Sequence, residues 1–184
     1  MEEFFGNEIN IDVSKVQIAY INDIITTDNN KPIIATRDIK TCIAVLIICE
    51  NEAHMTHLVT EKDCRKNGLE KIKEILKKVN SPIKAKMVFC GKKTPPKYKA
   101  EWFITQEEKE KINLEEKDEL AYFLIDWNKY PAYLENDNGS IAYDFSTNQY
   151  YGIDGDGIFY EYRLGAKNKK PDPALIDWDN RHTK

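Results

Sequence analysis

Three side chains in the first third of the chain have types and spacings suited to thiol catalysis: Thr36, Cys42 and His57. Cys42 stands before an apolar run, residues 43–48, and His57 lies in the next β-like stretch, residues 55–60. Adjacent strands lie ~4.8 Å apart, so antiparallel pairing brings thiol and imidazole within reach. The imidazole then draws the thiol proton and yields a nucleophilic thiolate, which predicts a lowered pKa for the thiol. Thr36 is the nearest hydroxyl that could orient the ring. The alternative interpretation of Cys42 is simple core packing.

The segments around these side chains predict a sheet with a packed helix. Residues 43–48 are apolar on both faces, which indicates a central strand covered on two sides. Residues 69–79 place apolar side chains at three- and four-residue steps, as in an amphipathic helix. Further strands are expected at residues 16–20, 33–36 and 83–91. The fold class predicted is α+β, with mixed or antiparallel sheets and helices packed on them.

The second half of the chain continues this pattern with turns and one helix-prone stretch. Residues 106–120 are charged and helix-prone, and the apolar and aromatic residues 121–125 follow them. Residues 136–139 and 154–157 carry hairpin-turn signals, and the acidic ligands of a calcium loop do not follow the second of them in register. We expect one domain over residues 1–165, divided into a catalytic core (33–91) and an elaboration (92–165), and a polar tail (166–184).

Composition excludes several classes of function. The 184 residues carry a net charge of -4, so no global positive field attracts a nucleic acid backbone. No apolar run approaches the ~20 residues of a membrane span, and the acidic N-terminus lacks the basic start of a general secretion signal. The four cysteines include no CxxC pair, and no set of three histidine or cysteine ligands is clustered along the chain. We therefore expect no metal and no cofactor.

Two motifs resemble a known family. The segment TRDIKTCIAV, residues 36–45, is similar to the TxxLGSCVAV segment of the bacterial chemoreceptor glutamine deamidases of the CheD type, with a small gap. Residues 55–59, MTHLV, resemble the family's MNHFM, and residues 83–91, IKAKMVFCG, resemble its LKAKVFGGA strand. The spacing from Cys42 to His57 is also like that of the cytotoxic necrotizing factor toxins, which share that fold. Lys40 and Thr41 depart from the Gly-Ser that precedes the family's cysteine.

The resemblance covers residues 33–91 and implies a CheD-like or necrotizing-factor-like fold and a protein glutamine deamidase. It implies that Cys42 attacks the carboxamide of a glutamine in a partner protein, with His57 as base and then acid, and Thr36 holding His57. Backbone N–H groups around Thr41 and Ile43 would stabilise the oxyanion. Such an enzyme is expected to be a monomer in the cytoplasm, or an effector delivered into a host cell by specialised secretion.

Several alternatives stay open. If an amine reached the thioester before water, the same site would be a transglutaminase. A binding module, such as an inhibitor or immunity protein, would also be small, acidic and rich in aromatic residues. His54 points to the opposite strand face from His57 and is expected at the surface. Cys49 and Cys64 are expected to be structural, whereas the role of Cys90 stays open, because the family resemblance places it close to a loop near the site.

Overall fold

The computed structural model describes residues 5–39, 41–59, 64–90, 122–126, 139–154 and 156–162. Those residues form eleven strands, one α-helix and a short 3-10 helix. In chain order the elements are β1 (Phe5–Ile9), the 3-10 helix (Val13–Lys15), β2 (Val16–Ile18), β3 (Ile24–Thr26), β4 (Ile33–Arg37), β5 (Ile43–Cys49), β6 (Ala53–Leu58), α1 (Cys64–Lys78), β7 (Ile83–Cys90), β8 (Tyr122–Asp126), β9 (Ser140–Asp144), β10 (Gln149–Ile153) and β11 (Phe159–Tyr162).

The strands form two mixed sheets. The six-stranded sheet has the order β1-β11-β10-β9-β4-β2, and the five-stranded sheet has the order β3-β6-β5-β7-β8. Parallel pairs occur once in each, β2 with β4 and β7 with β8, and the other neighbouring strands are antiparallel. The expected α+β class, with mixed sheets and a packed helix, is confirmed.

Strand β5 is the centre of the five-stranded sheet. All seven of its residues are buried, and it pairs with β6 on one side and β7 on the other. Its side chains alternate between two apolar clusters: Ala44 and Leu46 pack toward the six-stranded sheet, whereas Val45 and Ile47 pack toward α1. The prediction of a central strand covered on two sides is confirmed. A strand buried on both faces has no solvent-exposed side, so its sequence is a continuous apolar run instead of an alternation of apolar and polar residues.

Helix α1 covers the outer face of the five-stranded sheet with one apolar stripe. Ile72, Ile75 and Leu76 are almost completely buried in the cluster that contains Val45 and Ile47. The helix begins at Cys64, earlier than the predicted start at residue 69. Glycine has poor helix propensity, which placed the predicted start after Gly68, but the helix continues through this residue. Lys77 and Lys78 in its last turn place positive charge at the negative end of the helix dipole, which stabilises the helix.

Other predicted elements are recovered with small shifts. Residues 16–20, 33–36, 55–60 and 83–91 correspond to β2, β4, β6 and β7. The turn at 154–157 joins β10 to β11, with Gly157 N–H donating to the Asp154 carbonyl at 3.1 Å. The helix-prone stretch 106–120 and the tail 166–184 lie outside the described residues. Among the helices that the structure describes, none is long and apolar enough to cross a membrane.

Candidate thiol site between the two sheets

A hydrogen bond between the two sheets joins Thr36 on β4 to His57 on β6. Thr36 Oγ1 lies 2.8 Å from His57 Nδ1, and both residues are buried. The same hydroxyl donates its only proton to the carbonyl oxygen of Ala19, at 2.9 Å. It must therefore accept from His57, so the imidazole carries its proton on Nδ1.

This tautomer leaves His57 Nε2 with an unused lone pair. The ring is 3% exposed, and no hydrogen-bond partner reaches Nε2 among the residues that the structure describes. A buried imidazole nitrogen without a partner is costly in a folded protein, and such atoms call for a functional or structural explanation. A general base needs this arrangement, with one ring nitrogen anchored and the other available.

Cys42 shares the strand face that His57 occupies. It comes just before β5 and packs in the same apolar cluster as Ala44, which is paired directly with His57. Because side chains two apart on a strand share a face, Cys42 is the diagonal neighbour of His57, at ~7–8 Å between such positions and less between long side chains. The thiol is 7% exposed. His57 Nε2 has no hydrogen-bond partner among the described residues, so the thiol and the imidazole are not hydrogen-bonded to each other.

Burial controls the pKa values of both groups. It raises the pKa of the Cys42 thiol, and hydrogen bonds from the Thr41 side chain and backbone oppose this rise. Burial also lowers the pKa of His57, while the negative charge of Asp38 acts in the opposite direction. The sequence-based expectation of a lowered thiol pKa therefore differs from the structure, in which desolvation favours a neutral thiol beside a neutral imidazole.

The connection from β4 to β5 delivers Cys42 from one sheet to the other. Asp38 adopts a left-handed backbone with φ 61°, and Ile39 is fully buried with its N–H donating to the Gly139 carbonyl at 3.1 Å. The proposed oxyanion donors lie at the end of this connection. Thr41 is exposed just before β5, whereas Ile43 is the first residue of β5 and pairs with both neighbouring strands.

Sequence reasoning missed two contributors to this site. Ala19 acts through its carbonyl, and its own N–H donates to the Ala35 carbonyl at 2.7 Å, which fixes the segment to β4. Asn22 N–H donates to the His57 carbonyl at 2.7 Å and ties the same segment to β6. Backbone groups leave no signal in residue type. Asp38 could have been found, because it is an acidic residue close to Cys42 in sequence.

A second cysteine and histidine meet on the other face of the same sheet. His54 points away from His57, as predicted, but it is 1% exposed and is therefore not a surface residue. Its imidazole, the Cys49 thiol and the Glu52 carboxylate place one ligand atom each within 4.8 Å of one another. The β5–β6 turn brings Cys49 and His54 together with Glu52; this set holds one cysteine and one histidine, so it does not contradict the expectation that no three histidine or cysteine ligands cluster. The side chains of Cys64 and Cys90 lie outside the described set.

A scan against protein-family models and a search of curated proteins both find no match for this chain.

Proposed function

We propose that this protein is a cysteine-dependent glutamine deamidase that acts on a partner protein, within a CheD-like or necrotizing-factor-like fold. The observation that carries the proposal is the Thr36–His57 hydrogen bond, which fixes the tautomer a general base requires. Cys42 on the same strand face supplies the nucleophile type. The motif resemblance over residues 33–91 supplies the substrate class.

The first step is proton transfer within the neutral pair. Substrate binding brings the Cys42 thiol to His57 Nε2, and the imidazole takes the thiol proton. The resulting imidazolium keeps its Nδ1–H bond to Thr36, whose hydroxyl in turn remains bound to the Ala19 carbonyl. Burial lowers the pKa of His57, and the negative charge of Asp38, which opposes that shift, would stabilise the new positive charge. Proton transfer is favoured only while the thiolate attacks, since both charges are costly in a buried site.

The following steps hydrolyse the carboxamide through a thioester. The Cys42 sulfur attacks the glutamine side-chain carbon, and the C–N bond breaks as His57 returns its proton to the leaving ammonia. A water molecule, deprotonated by His57, then attacks the thioester and releases glutamate and the thiol. The net reaction consumes one water and releases one ammonia.

The oxyanion of each tetrahedral intermediate needs nearby donors. The backbone N–H of Thr41 is suited to this role, because its hydrogen bond to the Cys42 thiol lowers the pKa of that group and so favours negative charge beside it. Ile43 is the second proposed donor, at the start of β5. A fixed backbone donor of this kind typically lowers the barrier by ~3 kcal/mol.

The partner in this proposal is a folded or flexible protein that presents a glutamine. Tyr20 and Ile21 are 69% and 53% exposed on the segment that holds both Thr36 and His57, so they offer apolar contact area beside the site. We propose a monomeric enzyme whose reaction at Cys42 and His57 uses no cofactor. It would act in the bacterial cytoplasm or in a host cell that it enters through specialised secretion.

The test measures ammonia release and mass change in a glutamine-rich protein, unfolded casein, and then in cell extracts. We expect ammonia release and products about one dalton heavier per site with the unaltered protein, and loss of both with Cys42→Ala and with His57→Gln. Cys64→Ser is the control, because no role is assigned to that thiol. Circular dichroism of each variant verifies that the fold is retained.

Two other outcomes separate the alternatives. Incorporation of an added primary amine in preference to water would identify a transglutaminase at the same site. A biological effect that survives Cys42→Ala, without ammonia release from any extract, would replace the enzyme with a stoichiometric binding module.

A further inference from the structure

The turn between β5 and β6 gathers three side chains that are common metal ligands. Cys49 ends β5, Glu52 lies in the turn, and His54 is the second residue of β6. Cys49 N–H donates to the Glu52 carbonyl at 2.8 Å, so the backbone of the turn is closed. The thiol sulfur, one carboxylate oxygen and one imidazole nitrogen all lie within 4.8 Å of one another. They face α1, on the side of the sheet opposite to Cys42 and His57.

His54 supplies an independent indication that a ligand belongs there. Its Nδ1 is hydrogen-bonded to Thr26 Oγ1 at 2.9 Å. Its Nε2 has no hydrogen-bond partner among the described residues. Glu52 Oε1 lies 3.5 Å from this nitrogen, within the range of an ion pair. The residue is 1% exposed. A buried polar nitrogen that faces a thiol and a carboxylate is therefore anchored on one side and unsatisfied on the other.

We propose that Cys49 Sγ, His54 Nε2 and the Glu52 carboxylate bind a divalent zinc ion, with water as fourth ligand. Zinc prefers four ligands in a tetrahedral set and accepts sulfur, nitrogen and oxygen together, whereas magnesium and calcium prefer oxygen alone. Ligand atoms in such a tetrahedron lie about 3.5 Å apart, given metal–ligand distances of ~2.0–2.3 Å. Small side-chain rotations reach this spacing from the observed arrangement.

Charge favours the same assignment. A thiolate and a carboxylate together neutralise the two positive charges of the ion, so the buried centre carries no net charge. Lys78, a cation that acts on His54, is exposed at the end of α1, where solvent screens its repulsion of the ion. Binding costs the Cys49 thiol one proton, which leaves to solvent.

A second shell of hydrogen bonds holds the ligands in place. Thr26 on β3 orients the His54 ring, as outer partners of metal-bound histidines commonly do. Glu52 Oε2 accepts from Ser81 Oγ at 3.1 Å, and Glu52 Oε1 accepts from Asn80 N–H at 3.2 Å. Ser81 Oγ also accepts from Asn51 N–H at 3.1 Å. These hydrogen bonds fasten the β5–β6 turn to the residues that precede β7, and the partial exposure of Glu52, at 16%, gives an ion an entry path.

The experiment titrates the metal-free full chain with Co²⁺ as a spectroscopic probe and then with Zn²⁺. We expect one Co²⁺ per chain, with a sulfur-to-cobalt charge-transfer band and the intense visible bands of four-coordinate cobalt. Zn²⁺ should displace the bound Co²⁺. In a separate calorimetric titration of the metal-free chain, in buffers of different ionisation enthalpy, Zn²⁺ should release one proton per ion bound.

Variants on the two faces of the sheet locate the site. Cys49→Ser should abolish the charge-transfer band, and His54→Gln should weaken binding at least a hundredfold. The matched controls Cys42→Ser and His57→Gln remove the cysteine and the histidine of the opposite sheet face, and they should bind cobalt as the unaltered chain does. Thr26→Val, which changes only the second shell, should weaken binding about tenfold.

Three results would overturn the inference: no charge-transfer band in the unaltered chain, a band that survives Cys49→Ser, or a band lost in Cys42→Ser. If Cys49→Ser or His54→Gln fails to fold, Glu52→Gln decides instead, because Glu52 is partly exposed and Gln preserves its size. Unchanged zinc affinity in that variant would exclude the carboxylate as a ligand and with it the proposed site.

Discussion

The hydroxyl of Thr36 determines which nitrogen of His57 is basic. A hydroxyl has one proton, and Thr36 gives it to the Ala19 carbonyl, so only its lone pairs face the imidazole. A carboxylate in this position would fix the same tautomer but would also raise the pKa of the ring strongly. The neutral partner keeps His57 unprotonated in a buried site, which suits a base that must accept a proton from a neutral thiol.

Thr36→Val tests this arrangement, because valine has a similar shape and no hydroxyl. The loss leaves the His57 Nδ1–H and the Ala19 carbonyl unpaired inside the protein, which should lower the free energy of unfolding by about 1–3 kcal/mol. Urea unfolding measures this change. Ammonia release should fall about 100-fold or more, since general base catalysis depends on the tautomer.

Thr36→Ser is the matched control for that variant. Serine keeps the hydroxyl and loses only a methyl group, so it should retain most activity while costing some packing energy. Equal loss of activity in Thr36→Ser and Thr36→Val would show that packing, and not the hydrogen bond, is what Thr36 contributes.

The pH dependence of stability should report the buried imidazole of His57. Burial lowers its pKa below the ordinary value of 6.5, against the opposing charge of Asp38. Between the lowered folded value and 6.5, the unfolded chain binds more protons than the folded protein. His57 therefore contributes its full stability above pH 6.5, and this contribution is lost as the pH falls through that window.

Urea unfolding at several pH values, from about pH 7.5 to about pH 5, measures the effect. His57→Gln should reduce the slope of unfolding free energy against pH in this range. A slope that is unchanged in His57→Gln would mean that other groups cause the acid sensitivity and that His57 is not desolvated.

Sequence reasoning could identify the side chains of the thiol site but not their supports. Cys42, His57 and Thr36 are visible as residue types near predicted strand ends, and the structure places Thr36 beside His57. The Ala19 carbonyl is invisible, because every residue has a carbonyl. The direction of the thiol pKa also depends on burial, which only the packed sheets reveal.

At the scale of elements, the connection from β4 to β5 is set by a close approach of two backbones. Gly139 has φ +89°, and a Cβ atom there would lie 2.8 Å from the carbonyl oxygen of Ile39. Ile39 precedes Cys42 by three residues in the sequence and is fully buried. Backbone contact at Gly139 therefore controls where the connection delivers the thiol.

Gly139→Ala should destabilise the fold by about 2–4 kcal/mol, because it adds a backbone clash to an unfavourable positive φ. Gly157 is the matched control: its φ is +82°, but a Cβ there would meet nothing within 4 Å. Gly157→Ala should cost only the conformational strain, about 1 kcal/mol. Thermal or urea unfolding of both variants gives the difference, and equal costs would contradict the close approach.

The elements that sequence reasoning found are those with long apolar patterns. The run that became β5 and the stripe that became α1 are readable because burial imposes a period on residue type. Strands β1 and β3 were not predicted. Strand β3 has only three half-buried residues, and its pairing with β6 joins segments far apart in sequence. Neither the local strand propensity nor the periodicity of apolar residues predicts such a non-local pairing.

At the scale of the whole molecule, the five-stranded sheet separates the two proposed sites. One face meets the six-stranded sheet and holds Cys42 and His57, while the other meets α1 and holds Cys49 and His54. The alternation of side chains along β5 and β6 produces this division, since His54 and His57 are an odd number of residues apart. The two sites can therefore be altered independently, which the paired variants described above exploit.

The layered arrangement predicts similar costs for truncating two adjacent residues of β5. Leu46 is fully buried against the six-stranded sheet, and Ile47 is fully buried against α1. Leu46→Ala and Ile47→Ala each remove a large buried side chain, so each should lower the free energy of unfolding by about 2–5 kcal/mol. Urea unfolding curves of the two variants, fitted with one common m-value, give both changes in the free energy of unfolding. If only one layer covered the sheet, one of the two substitutions would be nearly neutral, because its side chain would already be in water.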